Sequence, residues 1–144
     1  MMLVRLMYAS RATAAMDQEE ILSILRQSRA HNPGQGVTGV LCVCPVSRIF
    51  LQALEGGRAP VNALYHRIAS DRRHSDVELL SYEEITERRF AGWSMGQVDM
   101  SRLNPALLLK YCEKPALDPY ALPGSASLAL LLELMATASI VGNV

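Results

Sequence analysis

The chain has 144 residues, half of them apolar, which suffices for one core of ordinary size and leaves too little for a second full domain. Fourteen basic and fourteen acidic residues cancel, so no overall field favours nucleic acid or an anionic membrane, and neither is expected as a direct partner. Cys42, Cys44 and Cys112 are odd in number, lack C-x-x-C spacing and read as reduced core residues of a cytoplasmic protein.

In chain order, Leu3 to Ala9 is a mostly apolar run that suits a central strand ending near Tyr8. Arg5 interrupts it, and no small-residue cleavage site follows, so it is not read as a signal peptide. Asp17 with Glu20 three positions on marks a helix start, and Ile21, Leu22, Ile24, Leu25 and Ser28 keep helical spacing. Pro33 and Gly34 predict its end by Asn32. Val37 to Val43 and Arg48 to Leu54 read as two strands of a hairpin, with the turn at Pro45 to Ser47 and Gln52 on the second strand.

Pro60 suits the first turn of a helix to about Ser70, with Val61, Leu64, Tyr65 and Ile68 on its apolar face. Val77 to Ile85 and Trp93 to Val98 are the last strands expected, and alternation would put Trp93 and Met95 on one face. Beyond Asp99, a helix from Asn104 and Pro105 through Cys112 and an Ala/Leu-rich helix from Ser127 to about Ile140 follow. The tract Leu128 to Ala136 contains Glu133 and falls short of the about 20 apolar residues that span a bilayer, so no membrane association is expected.

The order β-α-β-β-α-β-β predicts an α+β, ferredoxin-like mixed sheet with both helices on one face, because each helical crossover returns right-handedly to the same sheet. Residues 1–98 would form this domain. Residues 99–144 would form a two-helix C-terminal extension packed on the open face of the sheet or on a partner.

Gly34-Gln35-Gly36-Val37-Thr38-Gly39 matches G-x-G-x-x-G by letter, but a dinucleotide loop follows a strand and opens a helix, and here the order is reversed. His31, His66 and His74 form no metal pattern with the cysteines, and no serine lies in G-x-S-x-G. The carboxylates Glu19 and Glu20, like Glu83 and Glu84, are adjacent and point apart. No enzyme and no metal site is expected. Tyr8, Ser10, Asn32, Gln52, Trp93 and Met95 are polar or aromatic where a core could be purely apolar, and each taken singly reads as an ordinary core residue.

Together with their neighbours they carry more. Leu6-Met7-Tyr8-Ala9-Ser10-Arg11, Ser28-Arg29-Ala30-His31-Asn32 with Val37-Thr38-Gly39-Val40-Leu41, Phe50-Leu51-Gln52-Ala53-Leu54-Glu55-Gly56, Ile68-Ala69-Ser70-Asp71-Arg72-Arg73-His74 and Trp93-Ser94-Met95-Gly96 resemble, in order, the BLUF family of flavin-based blue-light sensors. The resemblance implies a noncovalently bound flavin between the two helices, FAD first, with FMN or riboflavin as alternatives. It implies that Tyr8 and Gln52 are the photoactive pair, that Asn32 fixes the flavin carbonyls and that His31 packs on the ring. Many members of the family carry asparagine where this chain has His31. It further implies that Ile24 and Ile68 wall the ring, that Arg29, Asp71 and Arg73 face the ribityl chain and phosphates, and that Ser10, Trp93 and Met95 relay the signal. Ser10 would partner the tryptophan or the Gln52 network.

No output domain is recognisable in the chain, so the signal is expected to pass to a separate protein partner or into a change of homo-oligomeric state. The competing expectations are a ferredoxin-like regulatory or enzymatic domain, for example one binding an anionic metabolite near Arg72 and Arg73, and a dimerisation module built on the C-terminal helices. Both would lack a chromophore.

Overall fold

The structure, a computed structural model, describes residues 2–13, 17–44, 47–100, 103–137 and 140–141. Strands β1 (Leu3–Ala12), β2 (Thr38–Cys44), β3 (Ile49–Gly57), β4 (His74–Ile85), β5 (Gly96–Val98) and β6 (Ile140–Val141) form one sheet in the order β4-β1-β3-β2-β5-β6. Helix α1 (Gln18–Gln35) connects β1 to β2, and α2 (Arg58–Ser70) connects β3 to β4. The β2–β5 pairing is parallel and the other pairings are antiparallel, so the sheet is mixed as expected.

Side chains alternate between two faces along each strand, and the buried residues divide accordingly. Val4, Leu6 and Tyr8 of β1, Leu41 and Val43 of β2, and Phe50 and Leu54 of β3 pack with Ile21 and Leu25 of α1 and Val61 of α2. Met7, Val40, Cys42, Leu51 and Ala53 face the other way. That second face is covered by α3 (Pro105–Tyr111) and α4 (Gly124–Thr137), through Leu108, Leu130, Leu131 and Leu134, with Leu117 of the connection between them. Most of the described apolar residues of the C-terminal helices thus find their cover within the chain, on the sheet, while Leu109 stays exposed.

Local chemistry explains most element ends. Asp17 accepts from the Glu20 amide at 2.9 Å and caps α1, and Asn104 accepts from the Ala106 amide at 3.0 Å and caps α3. Of the boundaries that differ from expectation, three reshape the connections between elements. Helix α1 continues past Asn32 to Gln35 with Pro33 inside it, and stops where Gly36 takes the left-handed conformation at φ 68°. The Gly36 amide meets the Asn32 and Pro33 carbonyls, so the glycine cap outweighs the proline's bias against a helical neighbour.

The last strand before the extension begins at Gly96 rather than Trp93, because the chain bends at Ser94 and Met95; the Trp93 carbonyl accepts from the Gly39 amide at 3.0 Å. Helix α4 ends at Thr137 instead of reaching Ile140, and Ile140–Val141 pairs with Gln97 and Val98 at the sheet edge. Residues 138–139, and most of the hairpin turn expected at Pro45 to Ser47, lie outside the described residues.

The string Gly34 to Gly39 therefore spans a helix end and a strand start, and Gly39 serves packing. A methyl group there would lie 2.3 Å from the Ala53 carbonyl oxygen and 3.2 Å from the Met95 methyl carbon. Gly39→Ala is expected to destabilise the fold by about 1–3 kcal/mol through overpacking, measured as a shift in the denaturant midpoint at unchanged slope. A midpoint equal to that of the wild type would show that the contact relaxes freely.

Candidate functional site

A cavity of about 490 Å³ opens between α1, α2 and the sheet, within the range of about 300–1,000 Å³ common for small-molecule sites. Its floor is the β1–β3 pair, where the antiparallel register sets Tyr8 directly opposite Gln52. Both are nearly inaccessible, at 2% and 4% exposure. The Tyr8 hydroxyl donates to Gln52 Oε1, and Gln52 Nε2 donates to the Met95 thioether at 3.1 Å. The amide thus has its acceptor on the phenol and its donor on the sulfur. Burial foremost, with smaller effects of Tyr65 and Asp71, raises the Tyr8 pKa well above the usual 10, so the phenol keeps its proton.

The walls are apolar: Ile24 of α1, Leu64 and Ile68 of α2, and Leu41 and Phe50 of the sheet. The polar groups sit at one end and around the mouth. Asn32, buried, lines the cavity and gives one amide hydrogen to the Ser94 carbonyl at 2.9 Å. Arg67 Nη2 meets His31 Nε2 at 2.8 Å, a side chain from each helix. An arginine can only donate, so this imidazole nitrogen accepts and the ring proton sits on Nδ1. Arg73 grips the Asp71 carboxylate, with Nη2 to Oδ2 at 2.6 Å, and reaches Gln27 at 3.1 Å. Those bonds hold the Asp71 carboxyl below its usual pKa.

Of the site residues expected from sequence, Tyr8, Ile24, His31, Asn32, Gln52, Ile68, Asp71 and Arg73 all line this one cavity. Arg29 does not. Its guanidinium turns away and donates from Nε to the Met95 carbonyl at 3.1 Å, because its position on α1 faces the turn before β5. Ser10 is also corrected: its hydroxyl bonds His74 Nδ1 at 2.8 Å, not Trp93 or Gln52, since β1 carries it toward the start of β4. Nor do Trp93 and Met95 share a face. Met95 is fully buried with the Tyr8 cluster, whereas Trp93 packs in the cluster under α3 and α4, because both precede β5 and the chain turns between them.

Gln27, Ser28, Ala30, Leu41, Phe50, Leu64, Arg67 and His74 line the cavity as well and were not assigned to it from sequence. The helical ones follow from the period: Gln27 and Ser28 lie one turn from His31 and Ile24. For Phe50 the signal was its i+2 spacing from Gln52 on one strand.

A scan of protein families matches residues 3–96 to BLUF, sensors of blue-light using FAD. The chain belongs to the BLUF family. Among curated relatives, the BLUF chain is 38% identical over 86 residues to photoactivated adenylate cyclase subunit alpha of Euglena gracilis, covering 60% of this chain and 8% of that protein. It is 35% identical over 94 residues to subunit beta of the same organism, covering 65% and 11%. It therefore spans 8–11% of the length of these curated relatives.

Solved BLUF structures match over nearly the whole chain. BlrB, a BLUF protein in its dark state, superposes with a TM-score of 0.76 at 33% identity, covering 94% of this chain and 96% of that one. BlsA in its photo-activated state gives 0.81 at 29% identity, covering 96% and 99%. The family is one of flavin-using blue-light sensors in signal transduction, and no catalytic family is indicated for this chain. No described helix is long and apolar enough to cross a membrane.

His74, half-buried between Ser10, Phe50, Asp71 and Arg73, has its pKa lowered from 6.5, chiefly by burial. The unfolded chain then takes up a proton that the folded one resists. The stability from the neutral imidazole is complete above about pH 6.5 and is lost as the pH falls toward the depressed folded value. The Asp71 contribution has the same sign but is lost only as the pH falls below the carboxylate range of about 4. A thermal-stability profile should decline below about pH 6.5, and His74→Gln should flatten that limb alone. An unchanged slope in the variant would remove His74 from the acid response.

Proposed function

We propose that this BLUF protein is a blue-light photoreceptor that holds FAD noncovalently in the cavity between α1 and α2, with Tyr8 and Gln52 as the photoactive pair. The observation that carries the reading is the buried, in-register Tyr8–Gln52–Met95 chain of hydrogen bonds on the floor of a cavity large enough for a flat ring. The cavity chemistry suits such a ligand. Ile24 and Ile68 oppose each other across it, the amides of Asn32 and Gln52 suit ring carbonyls and ring nitrogens, and His31, Arg67, Asp71 and Arg73 at the mouth suit a polyol and phosphates.

A bound flavin supplies the blue absorption and, when excited, an electron acceptor. Tyr8 is suited to give both an electron and a proton, because burial keeps it protonated and its hydroxyl is already aimed at Gln52 Oε1. In the tautomer route Oε1 would take the Tyr8 proton while Nε2 passes one to the ring that holds the Tyr8 electron, and return of an electron and a proton to Tyr8 would restore the phenol and leave Gln52 in its imidic-acid form. Rotation of the amide instead exchanges Oε1 for Nε2. By either route Gln52 presents a donor where it had an acceptor, and the hydrogen bonds it offers the ring reverse. The product expected is a red-shifted absorption that reverts in the dark without lasting covalent change.

Rotation of Gln52 would also withdraw its donor from the Met95 sulfur, at the segment whose neighbour Trp93 packs against the C-terminal helices. We read residues 1–98 as the photosensor and residues 99–144 as the transmitter, acting on a separate protein partner or on oligomeric state. In this reading the protein is a sensor and not an enzyme.

Purified protein loaded with FAD should be yellow and shift reversibly to the red under blue light. Tyr8→Phe and Gln52→Leu should each retain the flavin and lose at least about nine-tenths of the shift, as removal of a group that acts in the step itself would. A normal light-state spectrum in either variant contradicts the assigned role. The absence of any shift in the flavin-loaded wild type contradicts the function.

A further inference from the structure

Three consecutive carbonyls in the turn before β5 are each held by a donor from elsewhere in the chain. The Trp93 carbonyl accepts from the Gly39 amide at 3.0 Å, the Ser94 carbonyl from Asn32 Nδ2 at 2.9 Å, and the Met95 carbonyl from Arg29 Nε at 3.1 Å. Arg29 and Asn32 are three residues apart on α1, so they share a face of the helix and act on adjacent residues of the turn. The turn is where the chain crosses the sheet: Met95 is buried on the Gln52 side and Trp93 packs on the α3 and α4 side. A backbone rotation here would move both side chains.

We propose that Arg29 is a positioning residue that holds the Met95 carbonyl so that the Met95 sulfur stays on the Gln52 amide, and thereby governs the return from the light state. In its part about the light state, the proposal rests on the photoreceptor reading above. Gly39 and Asn32 hold the turn too, but Asn32 also lines the cavity and Gly39 is fixed by packing. Arg29 does neither. It grips the turn while lying outside the cavity lining, so replacing it loosens the turn without removing a wall of the ligand site.

The guanidinium uses Nε on Met95, while its Nη2 is buried with no hydrogen-bond partner among the described residues. A buried, unmatched donor on a charged group is costly. A second arrangement of the turn that brought another carbonyl to Nη2 would offset that cost. The Arg29 fork thus offers the turn two anchor points on one guanidinium, Nε and Nη2, the kind of paired arrangement a reversible switch requires.

The test uses the full chain with FAD and the variants Arg29→Met, which keeps the packing of the stem without a donor, and Arg29→Lys, which keeps the charge without the fork. In the dark, hydrogen exchange at the Gly39 amide, which reports the Trp93 carbonyl, and at residues 96–98 should quicken about tenfold in Arg29→Met, as expected for loss of one charge-assisted hydrogen bond. Arg29→Lys should give an intermediate rate.

The red-shifted state, still formed, should return several-fold more slowly in Arg29→Met. Wild-type exchange at these amides in either folded variant overturns the positioning role, whatever the photochemistry does. Faster exchange with unchanged or faster recovery overturns the link to the light state. Failure of the wild type to shift at all would count against the photoreceptor reading and leave the exchange result to decide the positioning role.

Discussion

The hydrogen bond from the Tyr8 hydroxyl to the Gln52 amide is the contact around which the rest of the site is arranged, and it exists only because β1 and β3 pair in one register. Tyr8 lies opposite Gln52, and Leu41 of β2 lies opposite Gln52 on its other side. A slip of β1 by one residue would send Tyr8 to the face under α3 and α4, among Leu51 and Leu130, and leave Gln52 without it. A buried phenol needs a partner, and the amide satisfies it while keeping its own donor for Met95. The register thus sets the direction of the chain of bonds, and α1 and α2 build the cavity over it.

The second face contributes rigidity near the turn. Glu55, fully buried beside Gln52 in sequence but pointing the other way, accepts from Arg5 and from the backbone amides of Arg89 and Phe90. Buried ion pairs cost desolvation, and breaking one leaves an uncompensated charge. This one ties the loop three residues ahead of Trp93 to β3, leaving the stretch between Phe90 and β5 to link the two faces. Anchored at one end by a carboxylate and gripped at the other by Arg29 and Asn32, that stretch is the short piece of backbone through which a change at Gln52 can reach the other side of the sheet.

Much of the fold was legible in the sequence because the periods are clean. The apolar run of β1, the alternation of β3, the Asp17 cap and the apolar stripe of α2 each follow from composition and spacing. The end of α1 was not, since Pro33 argued for an early stop and the left-handed cap at Gly36 prevailed. The cavity residues were legible only through the resemblance to other BLUF chains; taken singly, Tyr8 and Gln52 look like a core aromatic and a satisfied strand amide. Arg29, Ser10 and Trp93 were misplaced for one physical reason. Their directions depend on where a non-local turn or strand end lands, and spacing along the chain carries no record of that.

The account stands or falls on the amide of Gln52 changing its hydrogen bonds while Tyr8 remains its neighbour. Light-minus-dark infrared difference spectra, recorded on FAD-loaded protein with and without isotope labels in the glutamine side chains, address this at the bond concerned. The account predicts label-sensitive carbonyl and amide bands that appear with the red shift and decay with it. Difference spectra that show the red shift but no label-sensitive band would contradict it.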